Sequence, residues 1–251
     1  MVWRSTSMAT REAERFSETG DLLDRLRAVG AARYHDKHPF HLKMHAGVLT
    51  PAQLRGWVAN RYYYQKSIPI KDAAILSNLP DRERRRVWIR RILDHDGTLE
   101  HGGGGIESWL ALARAVGLDE RDVMQESLLL PATRFAVDGY VTFARTQPWV
   151  VAVASSLTEL FAPDLMSQRI DALVEKYPWI DERGLQYFRK RLQLAPRDAE
   201  SALEWVRAFA TTPELKDACV RALEFKCDVL WAMLDAILLA YGAGTTGPQE
   251  S

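Results

Sequence analysis

The chain has 251 residues, 47% of them apolar and 26% charged, with 33 basic residues against 33 acidic ones. That length can bury a sizeable core, and a net charge of zero argues against a general nucleic-acid or anionic-membrane surface. The first 20 residues carry Arg4, Arg11, Glu12, Glu14 and Arg15 and no apolar run, so no secretory signal is expected. The most apolar stretch, 229–241, is interrupted by Asp235 and is too short to span a bilayer. Cys219 and Cys227, on one helix, would lie about 12 Å apart along its axis. That is too far for a disulfide, so a reducing cytoplasm is expected.

In chain order, 1–19 reads as a flexible arm, 20–242 as one helical domain, and 243–251 as a flexible tail or linker stub. Within the domain the first helix is expected over 21–33. The next starts at Thr50-Pro51-Ala52-Gln53, with Thr as N-cap, Pro at the first helical position and Gln three residues after the cap, and runs to about Lys66. Further helices are expected near 69–79, 82–95, 105–116, 119–127, 131–146, 149–161, 163–176, 182–193 and 197–210, with breaks that include Pro80, Gly97, Pro148 and Pro196. A last long helix covers about 213–241, where Val220, Leu223, Cys227, Leu230, Leu234, Ile237 and Tyr241 make one apolar stripe. Alternating strand patterns are scarce, so the fold class is all-α, a helical bundle.

Polar side chains occupy positions on these apolar faces. Arg61 and Gln65 share the face of Trp57 and Val58. Arg91 and His95 lie three and seven residues after Trp88. Tyr187 and Arg191 are four apart beside Phe188, Thr158 and Glu159 follow the apolar run from Val151, and Lys226 borders the last stripe. A buried charge needs a partner. Single arginines at a face edge commonly pair or reach solvent. Here the excess is positive, Arg61, Arg91, Arg191 and Lys226 against Glu159, which suits a compact ligand with several carboxylates.

Other patterns carry less. Four of the six histidines, His35, His38, His41 and His45, are clustered, but Pro39 interrupts the run and only His41 and His45 clearly share a helical face, so capping and pocket-lining roles are preferred over a metal site. The glycines at 102–105 lack a following Lys-Ser/Thr and a preceding strand, and form a loop rather than a phosphate cradle. The run 82–86 is a solvated helix face.

Several of these residues fall in longer runs: YHDKHPFH at 34–41, GWVANRYYYQ at 56–65, IPIKDAAIL at 68–76, RILDHDG at 91–97, SSLTELFAP at 155–163, YFRKR at 187–191 and FKCDVLW at 225–231. In this order they resemble the pyrroloquinoline-quinone synthase (PqqC) family over about 21–241. The resemblance implies a single-domain seven-helix bundle of the haem-oxygenase/TenA-like type, working as a homodimer. It implies a cofactorless oxidase for the last step of pyrroloquinoline quinone (PQQ) biosynthesis, with no metal. That step is ring closure and eight-electron oxidation of a bicyclic tricarboxylate precursor (AHQQ) by O2, with H2O2 released and the product remaining bound.

By matching position, His95 resembles the proton-transfer residue, with Tyr187 and Arg191 its neighbours around oxygen or peroxide, and Lys226, grouped with these catalytic residues, resembles a holder of substrate carboxylates and carbonyls. Arg61, Gln65, Lys71, Arg91, Thr158 and Arg169 resemble holders of substrate carboxylates and carbonyls, and Tyr34, His35, Tyr140 and Glu159 further lining residues. One position departs: the family often has a histidine three residues before Arg169, and this chain has Met166, whose thioether cannot transfer a proton. Some relatives carry a small partner domain after the last helix, for which 243–251 would be the linker stub. Two other readings are a haem- or thiamine-degrading enzyme of the same bundle class, and a helical protein that binds the quinone without turnover.

Overall fold

The computed structural model describes residues 21–100 and 102–242. The expected arm at 1–19 and tail at 243–251 lie outside them. Among the described residues eleven α-helices follow one another: α1 (Leu22–Arg33), α2 (Pro39–His45), α3 (Pro51–Asn78), α4 (Arg82–Asp96), α5 (Gly105–Ala115), α6 (Glu120–Met124), α7 (Pro131–Thr146), α8 (Trp149–Ala154), α9 (Ala162–Lys176), α10 (Gln186–Phe209) and α11 (Pro213–Ala240). Short 3-10 turns stand at His35–Lys37, Ser155–Leu160 and Glu182–Leu185, and the described residues contain no named strand. The count exceeds the expected seven, and α2, α6 and α8 have only 7, 5 and 6 residues.

The start of α3 is as expected. Thr50 Oγ1 accepts from the Gln53 amide at 3.2 Å and Gln53 Oε1 accepts from the Thr50 amide at 2.9 Å, with Pro51 opening the helix. Three boundaries differ from the sequence reading. The helices expected at 51–66 and 69–79 are one, because α3 continues through Pro69. Those expected at 182–193 and 197–210 also merge, because α10 continues through Pro196. Each proline removes one backbone donor and its hydrogen bond, and burial of the flanking turns holds the helix together: Ile68, Lys71 and Asp72 around the first, Ala195, Asp198 and Ala199 around the second. The helix expected at 149–161 is α only to Ala154 and tightens into a 3-10 turn through Ser155–Leu160. Between His38 and Ala46 the sequence reading placed His41 and His45 on one helical face without giving a helix range; α2 forms there, with His38 Nδ1 accepting from the Phe40 amide at 3.0 Å as its cap and Pro39 at its first position.

Helix α3 packs along α4, α5 and α7, while α11 packs against α1, α7, α8 and the 155–160 turn. One apolar cluster joins Leu26, Trp88, Leu157, Val206 and Leu223, and another joins Phe40, Trp57, Trp109, Phe188 and Leu234. Among the described residues no single helix is long and apolar enough to cross a membrane.

Candidate active site

A cavity of about 550 Å³ opens among these helices. Helix α3 contributes Arg61, Tyr64, Ile68 and Lys71 from successive turns of one face, α4 Arg91 and His95, and α10 Tyr187 and Arg191. Lys226 comes from α11, Tyr140 from α7, Thr158 and Glu159 from the 155–160 turn, and Tyr34 and His35 from the link between α1 and α2. These include twelve of the fourteen residues named from the sequence. The other two stand one layer back. Gln65 accepts a 2.8 Å hydrogen bond from the Tyr187 hydroxyl. Arg169 is fully buried between the Trp57 and Phe188 rings, at 5.2 and 5.3 Å from their centroids, and donates to His41 Nε2 at 3.2 Å. Met166 lines the cavity and accepts a 3.7 Å contact from Arg169 Nη1 at its sulfur.

The buried charges divide into two groups. Lys71, Arg91 and Arg191 are held by carboxylates. Lys71 Nζ lies 2.6 Å from Asp72 Oδ1, and Arg91 grips Glu159 with two 2.7 Å bonds and reaches Asp72 at 3.3 Å. Arg191 divides its fork between Glu159 at 3.2 Å and Asp198 at 3.3 Å. Burial opposes ionisation of Glu159, but Arg91 and Arg191 outweigh it and hold the carboxyl below its usual range. Burial and Glu159 raise Asp198.

Arg61, Lys226 and Arg169 form the second group. Among the described residues none of them has a carboxylate within 4.0 Å. Arg61 instead stands over the Tyr64 ring at 4.9 Å, and its buried Nε has no hydrogen-bond partner among the described residues. Lys226 donates to the Tyr64 hydroxyl at 2.7 Å and sits 3.6 Å above the centre of the Tyr140 ring. Burial, then Lys71 and Arg61, pull the Lys226 ammonium well below its ordinary value. Burial and Arg61 bring Arg169 down to about 9.

His95 is set by the end of its helix. Gly97 terminates α4 at φ 82, and the loop folds back so closely that a Cβ on Gly104 would collide with the His95 carbonyl oxygen and the Gly97 nitrogen. The His95 Nδ1–H donates to the Arg91 carbonyl at 3.0 Å, which leaves Nε2 with the lone pair of the neutral ring. Burial and the neighbouring Arg191 bring its pKa down to about 4, so the ring is a base at neutral pH.

The sequence reading missed Tyr64, Ser156, Ile68 and Leu230 among the lining residues, and Asp72 and Asp198 behind them. Tyr64 was discernible: it stands three residues after Arg61 and four before Ile68, on their face of α3. The histidine cluster lies together, with His35 and His41 rings 4.8 Å apart and His41 and His45 rings 6.3 Å apart. Among the described residues no group of three or more His, Cys, Asp and Glu side chains is arranged to hold a metal ion.

Residues 23–236 match the model of the TENA/THI-4/PQQC family. The chain is 52% identical over 235 residues to a pyrroloquinoline-quinone synthase from Granulibacter bethesdensis, covering 94% of this chain and 92% of that protein. It is 55% identical over 228 residues to one from Ruegeria pomeroyi, covering 91% and 94%. It is also 50% identical over 226 residues to a bifunctional coenzyme PQQ synthesis protein C/D from Methylorubrum extorquens, covering 90% of this chain and 60% of that one. Among solved structures it resembles a domain with a haem-oxygenase-like fold from Shewanella denitrificans, with a TM-score of 0.69 and 16% identity over 97% of this chain and 100% of that one.

Proposed function

The chain belongs to the TENA/THI-4/PQQC family, and on that premise we propose that it is a pyrroloquinoline-quinone synthase. In this reading it closes the last ring of the quinone and completes the eight-electron oxidation of the bicyclic tricarboxylate precursor AHQQ. O2 is the acceptor, H2O2 a product, and the protein supplies no metal or cofactor of its own.

The observation that carries the reading is the unequal pairing of buried charge. Arg61 and Lys226 face the cavity with no carboxylate of the described residues in reach, while Lys71, Arg91 and Arg191 already have theirs. Buried cations left so are costly unless a ligand completes them, and a planar ligand with three carboxylates does so. The same cations lower the energy of the substrate's enolate or quinol anion, and that electron-rich framework then reduces O2 directly. His95 Nε2 removes protons from the substrate as its electrons pass to O2 and supplies them to the peroxide that forms. The Tyr187 hydroxyl and Arg191, beside it, face the developing peroxide. The reading includes a homodimer and the cytoplasm, which suits the two buried free cysteines. The relative whose name joins C and D functions supports a second PQQ-pathway domain, fused or separate, as a partner.

Met166 favours a second reading. It lines the cavity where the family often has a histidine, and a protein so changed would bind the quinone without producing it. Incubating the purified, metal-free protein with AHQQ in air, and following quinone absorbance and peroxide, separates the two. Both products without added cofactor are expected. Tight binding with stalled, partly oxidised species would favour the second reading, and no binding would overturn both.

A further inference from the structure

The charged wall of the cavity is layered, and its outer layers have no role in the function argued above. On the cavity side are Arg91 and Arg191. Behind them is Asp198, whose Oδ2 lies 3.3 Å from Arg191 Nη1 and 3.5 Å from Arg91 Nη1. Its other oxygen, Oδ1, turns away and accepts from Arg197 Nη2 at 2.7 Å and Nε at 3.1 Å. Asp198 has a side-chain exposure of 4% and Arg197 one of 38%. Arg197 is anchored in turn by Asp94, beside His95. A second cavity of about 280 Å³ lies on this outer side, with Arg91, Arg197, Asp198 and Ser201 in its walls. The sequence from the ligand space outward is therefore cation, carboxylate, cation, from a buried layer to a half-exposed one.

We propose that Asp198 is a positioning residue that trims the positive charge of the cavity, and that Arg197 counter-trims it from the surface. The proposal rests on the reading of the cavity as a polycarboxylate site. Asp198 faces Arg191 and Arg91 but does not line the cavity, so it never touches the ligand. It acts by fixing where the Arg191 fork points and by cancelling part of its field. With five cations around one cavity, a tricarboxylate held without such opposition would dissociate slowly. The buried carboxylates keep the attraction moderate. Arg197, held by both oxygen-bearing neighbours Asp94 and Asp198, weakens the cancellation by drawing Asp198 outward.

The two residues have opposite signs, and this gives the test. The probes are PQQ and benzene-1,3,5-tricarboxylate, a redox-inert ligand with the same number of carboxylates, titrated calorimetrically into the wild-type protein, Asp198→Asn and Arg197→Gln. Removing the Asp198 charge should tighten both ligands by about three- to ten-fold, and removing the half-exposed Arg197 charge should weaken them by about two- to five-fold, each through the Coulomb term of one charge behind the wall. A residue that only packs would weaken binding in both variants. Unchanged or weaker binding by a folded, cooperatively unfolding Asp198→Asn protein overturns the proposal. If that variant does not fold, unchanged or tighter binding by Arg197→Gln overturns it. A wild-type protein that binds neither probe overturns the polycarboxylate reading itself, and the proposal with it; wild-type binding without the opposite shifts overturns the proposal alone.

Discussion

Replacing Lys226 by Met separates what the buried ammonium does for the fold from what it does for a ligand. Lys226 is 1% exposed, has no carboxylate among the described residues within 4.0 Å, and donates only to Tyr64 at 2.7 Å. Exchanging a buried ionic group for an apolar one of similar volume stabilises by about 1–4 kcal/mol, less about 1 kcal/mol for the hydrogen bond that Tyr64 loses. The unliganded variant should therefore melt higher, by about 2–4 °C per kcal/mol for a chain of this size. Binding should move the other way. Removing one partner of a buried charge pair costs about 2–5 kcal/mol, so PQQ affinity should fall by roughly 30-fold to several thousand-fold. The pH dependence follows the same group. Because the folded pKa is lowered, the unfolded chain binds more protons below the ordinary value of 10.5, and wild-type stability rises as pH rises toward that value. Lys226→Met should lose this slope. Thermal unfolding across pH, with and without PQQ, reads all three quantities. A lower melting temperature without ligand, together with unchanged affinity, would refute the reasoning.

His95→Asn should leave PQQ affinity nearly intact and slow oxidation by about 10²–10⁴-fold, the range for one positioned acid–base group; turnover equal to wild type would remove its role. Because His95 is lowered to about 4, its neutral form persists well below pH 6.5, so the acid limb that His95→Asn abolishes should lie near pH 4 in the free enzyme. The same shift means that its contribution to stability falls as pH drops from 6.5 toward 4, which acid titration of unfolding in both proteins checks. Met166→His should raise oxygen uptake while changing PQQ affinity by no more than about two-fold, since the new ring can move protons and stands beside Arg169 rather than a ligand-held cation; equal uptake would show that the thioether is no obstacle. Gly104→Ala should retain helical circular dichroism yet lose most activity, because the added methyl displaces the loop behind His95; full activity would mean that this loop does not place the ring.

The helices were legible from apolar periodicity and capping residues, and the cationic character of the cavity because buried charges on apolar faces violate that pattern at fixed spacings. Arg61, Arg91, Arg191 and Lys226 all stand out this way, and all line the cavity. What was not legible follows largely from two prolines. Reading Pro196 as a break put Arg191 and Asp198 on different helices, whereas α10 runs through it and sets them seven residues apart on one face, hydrogen-bonded at 3.3 Å. Ending one helix near Lys66 and starting the next at Pro69 likewise hid the row Arg61, Tyr64, Ile68 and Lys71 along α3. A proline costs a helix one hydrogen bond, and burial on either side can exceed that cost, but the burial is supplied by segments remote in sequence. Asp72 was hidden for another reason: next to Lys71 in sequence, it shows as an ordinary neighbour, and only the approach of Arg91 from α4 makes it a shared counter-ion.

The aromatic rings packed against the cavity's cations give the protein a built-in optical reporter. The Trp88 ring lies 4.5 Å from the Arg91 guanidinium and 5.8 Å from the Lys71 ammonium. The Trp109 ring lies 6.0 Å from Arg61 and 5.0 Å from the Tyr187 ring. A quinone entering between these groups comes within energy-transfer distance of both indoles and perturbs the charges above them. Occupancy can thus be followed as quenched tryptophan emission, without label or coupled enzyme, and single turnovers resolved by stopped flow on the unmodified chain.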